Sequence, residues 1–424
     1  MSPTVNPIRT AIAGIGGFGS SHHGVAYQLE KEGIVKLLAT CDPRVSSLGE
    51  VLENFHFSQR AVQVFEDFDE MLREYEGKLD LLTVSTPIGF HNAMHEAAVT
   101  RNIACYLEKP PTLDPEELQA MIERDKSAKF KTQVGFAYIV EPWRHALKKR
   151  LDEFGPVQRV TFHGLSQRDN LYFNRANWAG KLLLGDQLIL DSCFGNAMSH
   201  HIHNILFFAG TKDLFHWGEI KEVKTELYRA NPIESTDTIF ATATTTDGVE
   251  LRVACSHATD ESSYFCEEIL HEKARVTIFP NKSFTIHFHD GRIEAHTLTR
   301  PDSILENNFR HYLAYLQGKE ERPLTTLYDS KPFVEWNALN FLSSKNIYLL
   351  PETERALVPS LRSQDIPAWT IPHLESIQKN FLETGSFPSQ QSPQWNATSK
   401  TVTPQHLPEL RNHVKTQRCP EPVA

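Results

Sequence analysis

The chain is poor in cysteine, with six in 424 residues, and no two of them form a CxxC pair. Cys41, Cys105, Cys193, Cys255, Cys266 and Cys419 are scattered, and Cys41 and Cys105 sit in apolar runs where a thiol behaves as a small hydrophobe. A disulfide-stapled secreted fold is thereby set aside in favour of a reducing compartment. No apolar run approaches the roughly 20 residues needed to cross a bilayer. The opening stretch MSPTVNPIR has no charged leader followed by an apolar core, so a cytoplasmic protein is expected. Positive charge is also lacking: 43 Lys and Arg face 53 Asp and Glu, a net charge of −10. That balance argues against a nucleic-acid partner, which requires a basic surface, and no basic cluster suggests a membrane partner. Internal repeats are absent.

What is present is enough apolar material for two cores, 40% of a chain too long for one. Over the first third, apolar runs at residues 9–13, 35–41, 62–65, 79–84 and 103–107 alternate with helical patterns at 20–32, 47–55, 68–75 and 91–100. Continuous apolar strands separated by helices mean βαβ units and a parallel sheet covered on both faces. After about Gly135 the rhythm changes. Stretches at 157–165, 219–228, 238–245, 249–256, 275–279, 284–289 and 292–298 alternate apolar and polar residues, as half-buried antiparallel strands do. Asp247-Gly248 and Asp290-Gly291 lie between neighbours as tight turns. Helices at 142–153 and 196–208 are the candidates to cover this sheet. The expected fold is α/β: a Rossmann domain with a parallel sheet over 1–136, then an α+β domain with an open, mostly antiparallel sheet over 137–385. Residues 386–424, rich in Ser, Thr, Pro and Gln, read as a disordered tail. If one face of the second sheet is uncovered, a homo-oligomer through that sheet is expected.

Gly14-Ile15-Gly16-Gly17-Phe18-Gly19 is a GxGxxG between the first strand and the first helix, the context in which it binds a dinucleotide. The first glycine allows a sharp turn, the second admits the pyrophosphate, and the third permits close helix–strand packing. Phosphates would then rest at the positive end of the helix. Asp42 ends the second strand, where a carboxylate accepts ribose hydroxyls and disfavours a 2′-phosphate, so NAD leads. Arg44 could pair with such a phosphate, which keeps NADP open. Glu108-Lys109-Pro110 follows another buried strand at the sheet's C-terminal edge, where a desolvated Lys can exchange a proton with a hydroxyl.

Gly14–Gly19, Asp42, Thr86-Pro87 with His91, Glu108-Lys109-Pro110 and Gln133-Val134-Gly135-Phe136 together resemble the glucose–fructose oxidoreductase / inositol dehydrogenase / rhizopine catabolism (Gfo/Idh/MocA) family. The layout is similar over about residues 8–350 and most specific over the first 136. The resemblance implies a cofactor site drawn from Gly14, Gly16, Gly17, Phe18, Gly19, Asp42, Arg44, Thr86, Pro87, His91, Glu108 and Lys109. It also implies Lys109 beside the reacting hydroxyl, with His200 as a second catalytic group. Members usually carry an Asp four residues before that His; here the position is Asn196, and Asp191 lies nearby as a substitute charge. The Arg that often follows the Tyr is also replaced, since Ile139 follows Tyr138.

His200 and His203 share a helical face, but no third ligand has a matching spacing and hydride transfer needs no metal, so none is expected. Segment 168–178 mixes aromatic and hydrogen-bonding side chains, as a polyhydroxylated ligand requires, so Tyr172, Trp178, Asp191, Asn196, His200 and His203 form the expected substrate set. The expected activity is NAD-dependent hydride transfer to or from a secondary hydroxyl or ketone of a sugar, cyclitol or glycoside. A redox-neutral glycoside hydrolase or lyase that retains NAD, and a non-enzymatic sensor, are the alternatives.

Overall fold

The computed structural model describes residues 6–299 and 303–417, so Cys419 and the end of the expected tail lie outside the described residues. The chain divides into two compact units. The first runs up to Thr112, continues through Glu116–Glu141 and includes the stretch ending at Ser330. Its strands are β1 (Ile8–Ala13), β2 (Val35–Cys41), β3 (Gln63–Phe65), β4 (Leu81–Val84), β5 (Ala104–Leu107) and β6 (Gln133–Val134). They form one sheet in the order β3-β2-β1-β4-β5-β6, parallel throughout. Every residue of β4 and β5 is buried, as expected for strands covered on both faces.

The expected boundary at 136 is corrected by one helix, Ile304–Leu316, which belongs to this first unit. Ser303 caps it, its side chain accepting from the Glu306 amide at 3.0 Å. Phe309, Tyr312 and Leu313 then bury against Val25, Leu29, Val35, Leu81, Ala104 and Tyr106. The Tyr106 hydroxyl donates to Asn308 Oδ1 at 2.8 Å, satisfying a phenol the core would otherwise strand. A face of the parallel sheet is therefore covered by chain some 200 residues downstream, a distance that periodicity cannot bridge.

The second unit holds β7 (Val157–Leu165), the small hairpin β8 (Leu183–Leu184) and β9 (Gln187–Leu188), β10 (Ile220–Arg229), β11 (Thr238–Thr245), β12 (Glu250–Ser256), β13 (Tyr264–His271), β14 (Ala274–Phe279), β15 (Ser283–Phe288), β16 (Ile293–Thr297) and β17 (Ile347–Leu349). Nine of these form a mostly antiparallel sheet in the order β16-β15-β14-β13-β7-β12-β11-β10-β17. The pairs β7–β12 and β10–β17 are parallel. Successive residues of β7 point to opposite faces. Phe162 stacks on His201 of the helix Ser199–Ala209 with ring centroids 5.0 Å apart, while the His163 ring lies 2.8 Å from Gln378 of the helix Leu374–Thr384.

That second helix corrects two expectations. Most of the Ser/Thr/Pro/Gln-rich tail is folded: Phe387 and Trp395 join Leu374 and Phe381 in a core cluster with Leu165, Tyr228, Phe240 and Ala254, and Val402 bridges to Val223. A few large side chains anchor a segment whose average composition is polar. The sheet face expected to be open along β11 and β12 is thus covered by the chain itself, which removes the reason for expecting an oligomer there. No helix among the described residues is long and apolar enough to cross a membrane.

Candidate functional site

At the C-terminal edge of the parallel sheet, three glycines of the GxGxxG do separate jobs. Gly14 has φ +96°, and a Cβ there would meet the Ser85 carbonyl oxygen at 2.6 Å. A Cβ on Gly19 would lie 2.5 Å from the Gly14 carbonyl, so the helix Gly19–Lys31 can start against the strand end only without a side chain. Gly16 faces only the Leu48 and Arg44 side chains, at 3.4 and 3.5 Å, and Gly17 (φ +57°) faces open space. No side chain caps the helix and no acidic residue sits in its first turn, which suits an anion at its positive end. Phe18, the helix's first boundary residue, is exposed.

Asp42 is buried and turned into this loop. One oxygen accepts from the Ile15 and Gly16 amides at 3.1 and 3.3 Å; the other accepts from the Arg44 amide at 3.0 Å and its Nε at 3.5 Å. Those four donors occupy the lone-pair sites a carboxylate offers. Asp42 therefore holds the glycine loop at the place where the ribose-binding role is expected. Burial alone would raise the Asp42 pKa, but the Arg44, Ile15 and Gly16 amides reverse this and hold it below the usual range. The Arg44 side chain is largely exposed.

Beyond β4, the His91 ring lies between the Thr86-Pro87 turn and the loop after β5. Its Nε2 lies 2.9 Å from the Thr86 carbonyl, and its Nδ1 lies 3.1 and 3.2 Å from the carbonyls of Pro110 and Pro111. Burial pushes the His91 pKa down. Glu108 is buried with one oxygen 2.9 Å from His22 Nε2, and its other oxygen accepts from the Lys109 amide at 3.0 Å. Thus the backbone on both sides of half-buried Lys109 is fixed, by Glu108 before it and by His91 after it. His22, in the first turn of the helix Gly19–Lys31, is the partner of Glu108. Its neighbour His23 packs inward with its ring 3.2 Å from Thr40 Oγ1, and burial takes its pKa down to about 3.

In the second unit, Asp191 Oδ1 accepts from Asn196 Nδ2 at 2.9 Å, and Asp191 Oδ2 accepts from the Gly180 amide at 2.7 Å. The helix begins at Ser199, after a wide turn over Cys193–Ala197, so Asn196 precedes it. His200 is half-buried, and His203 is fully buried with its ring 5.1 Å from Trp217. Tyr172 and Trp178, expected to stack on a ligand, both lie on the Arg175 guanidinium, at 3.7 and 4.6 Å.

Sequence reasoning missed the group beneath that helix. Glu267 of β13 has no exposed surface, and neither has Arg144, which donates to its Oε2 at 2.8 Å. The other Glu267 oxygen faces His201 Nδ1 at 2.9 Å and accepts from Asn204 Nδ2 at 2.8 Å. Burial alone would raise the Glu267 pKa; Arg144, His201 and Asn204 outweigh it and hold it near 2.

Residues 8–136 match the model of an oxidoreductase family with an NAD-binding Rossmann fold, Gfo/Idh/MocA. The first unit is similar to this family over those residues. In sequence the chain is 27% identical over 135 residues to the UDP-N-acetylglucosamine 3-dehydrogenase of Acidithiobacillus ferrooxidans; the match covers 32% of this chain and only 39% of that relative. Among solved structures, the WlbA dehydrogenase of Chromobacterium violaceum, in complex with NADH and UDP-GlcNAcA, has a TM-score of 0.64 at 19% identity, covering 80% of this chain and 94% of its own. The WlbA dehydrogenase of Bordetella pertussis has a TM-score of 0.61 at 21% identity, covering 78% and 94%. These likenesses extend the shared fold well beyond the Rossmann unit. A Gfo/Idh/MocA Rossmann unit binds NAD, and this one fits the group: the loop is open at Gly16 and Gly17, held by Asp42, and uncapped at the helix start.

Proposed function

We propose that the chain is an NAD-dependent oxidoreductase that interconverts a secondary hydroxyl and a ketone on a sugar or sugar-nucleotide. The observation that carries this reading is Lys109, held by a clamped loop at the C-terminal edge of the family's nucleotide-binding sheet. The dinucleotide supplies the hydride acceptor or donor when bound. Gly14–Gly19 would receive its pyrophosphate, with Asp42 keeping those amides in place. Lys109 would hold or move the hydroxyl proton, a role for which a fixed backbone and partial burial suit an amine. His200 is the second proton carrier in this reading, with its helix pinned from below by Glu267. The relatives named for UDP-N-acetylglucosamine and UDP-GlcNAcA make sugar-nucleotides the first substrates to try.

The test is turnover of purified protein with NAD and a panel of UDP-N-acetylglucosamine, free hexoses and myo-inositol, followed by NADH absorbance and by product analysis. A rise in NADH with one sugar supports the dehydrogenase. Sugar cleavage without net NADH would replace it with the redox-neutral reading. Neither NADH nor product from any member of the panel would count against both.

A further inference from the structure

Within the second unit, a cleft of about 500 Å³ opens between residues 170–181 and the turn 231–234. Its two walls are joined at the base, where the Ser235 amide donates to the Gly180 carbonyl at 2.8 Å. The turn is rigid. The Arg229 guanidinium donates to the Ile233 and Glu234 carbonyls, and Asn231 gives both its backbone and side-chain N–H to Asp237 Oδ2 at 2.8 Å. That anchoring orients the Asn231 side chain, whose carbonyl oxygen is buried with no hydrogen-bond partner among the described residues.

Four asparagines line the space: buried Asn231, half-buried Asn170, and exposed Asn174 and Asn177. Phe173 contributes an aromatic wall. The two charged lining residues, Lys181 and Glu234, face each other at 3.8 Å and cancel. Amides both donate and accept, as hydroxyl groups do, and a ring face suits the C–H side of a pyranose. A phosphate would meet a single cation already beside a carboxylate, and an apolar ligand would strand the amides.

We propose that this cleft is a carbohydrate-binding site that takes an uncharged, polyhydroxylated ring. Only the ligand class is shared with the function proposed above. The occupant's hydroxyls pair with the side-chain amides of Asn170, Asn174 and Asn177 at the rim. The volume lies within the range of small-molecule sites.

Calorimetric titration of the full chain with glucose, N-acetylglucosamine, myo-inositol and glucose 6-phosphate tests it. At least one neutral probe should bind, and glucose 6-phosphate should bind no better than glucose. Asn177→Trp changes an exposed residue and fills the cleft, and should weaken that binding by roughly tenfold or more. Asn170→Ala should weaken it by roughly three- to tenfold, the loss of one hydrogen bond. NADH affinity should stay at the wild-type value in both variants, which reports an intact fold. If no neutral probe binds the wild type, or both variants bind as it does, the proposal is overturned. Sugar-dependent NADH formation with an unchanged KM in Asn177→Trp would remove the cleft from the substrate's path while the dehydrogenase stands. Binding lost in the variants of a wild type that never turns over would leave the cleft and remove the dehydrogenase.

Discussion

The nucleotide-binding unit and its companion each bury one histidine–glutamate pair at the same separation, 2.9 Å: His22–Glu108 in the first and His201–Glu267 in the second. In each, one member is the sequence neighbour of a candidate catalytic group, Lys109 beside Glu108 and His200 beside His201. The surroundings differ. Glu108 faces a histidine ring and one backbone amide, with no guanidinium beside it among the described residues. Glu267 also faces a guanidinium with no exposed surface, which cannot give up its charge. The first pair fixes a loop through the backbone; the second fixes a helix through side chains of three separate elements. Polar positioning is local to the motif in one unit and long-range in the other.

Removing each carboxylate should separate the two cases most strongly. Glu267→Ala removes the carboxylate that faces the buried Arg144 charge, and should cost about 3–5 kcal/mol of stability. Glu108→Ala leaves only polar groups unpaired and should cost about 1–3 kcal/mol. Urea unfolding monitored by fluorescence reads both. Equal losses would mean that Arg144 is not the source of the difference.

Asp42 offers a finer probe of the local arrangement. Asp42→Ala should weaken NAD by about 1.5–3 kcal/mol through loss of charge-assisted bonds to the glycine loop. Asp42→Asn, which keeps one acceptor oxygen for the Ile15 and Gly16 amides, should lose less. Titration with NAD in which the two variants fall equally would return Asp42 to direct ribose binding, where the charge itself is required.

The smallest effect is one the units share. Burial first, then the neighbouring His22, takes His23 down to about 3, and burial first, then Arg168, does the same to His257 in the second unit. Both are neutral in the folded state, whereas the unfolded histidine titrates near 6.5. Between those values the unfolded chain binds more protons, so stability is greatest above about pH 6.5 and declines as pH falls toward 3. His23→Gln and His257→Gln should each flatten the dependence of urea stability on pH between 7 and 5. An unchanged slope would mean that the rings are charged in the folded protein.

Local patterning carried the strands whose burial is regular. Residues 157–165 and 238–245 are strands with the bounds their alternation implies, and the helix at 91–100 likewise. The strand Tyr264–His271 was not legible. Its centre holds Glu267, and a buried carboxylate in a strand makes sense only once Arg144 and His201, 123 and 66 residues away, are in place. The same reason hid the helix Ile304–Leu316 from the first unit. In the site, residue types and spacing pointed to the glycine loop, Glu108 and Lys109, and set Asp191 near Asn196. They could not say that Asp42 would spend its oxygens on the loop, nor that Tyr172 and Trp178 would close on Arg175. Those outcomes depend on which partner a polar side chain reaches first in three dimensions.

Lys109→Ala tests the central claim most directly, measured both for turnover on the substrate found in the panel and for NADH binding by fluorescence. The Gly14–Gly19 loop and Asp42 do not depend on the Lys109 side chain, so NADH affinity should stay at the wild-type value. Turnover should fall by about 10²–10⁴-fold, the contribution of a positioned acid–base group. Lys109→Arg should restore little, because a guanidinium does not exchange its proton. Wild-type turnover in Lys109→Ala would contradict the account, leaving a nucleotide-binding fold whose chemistry is carried by some other group.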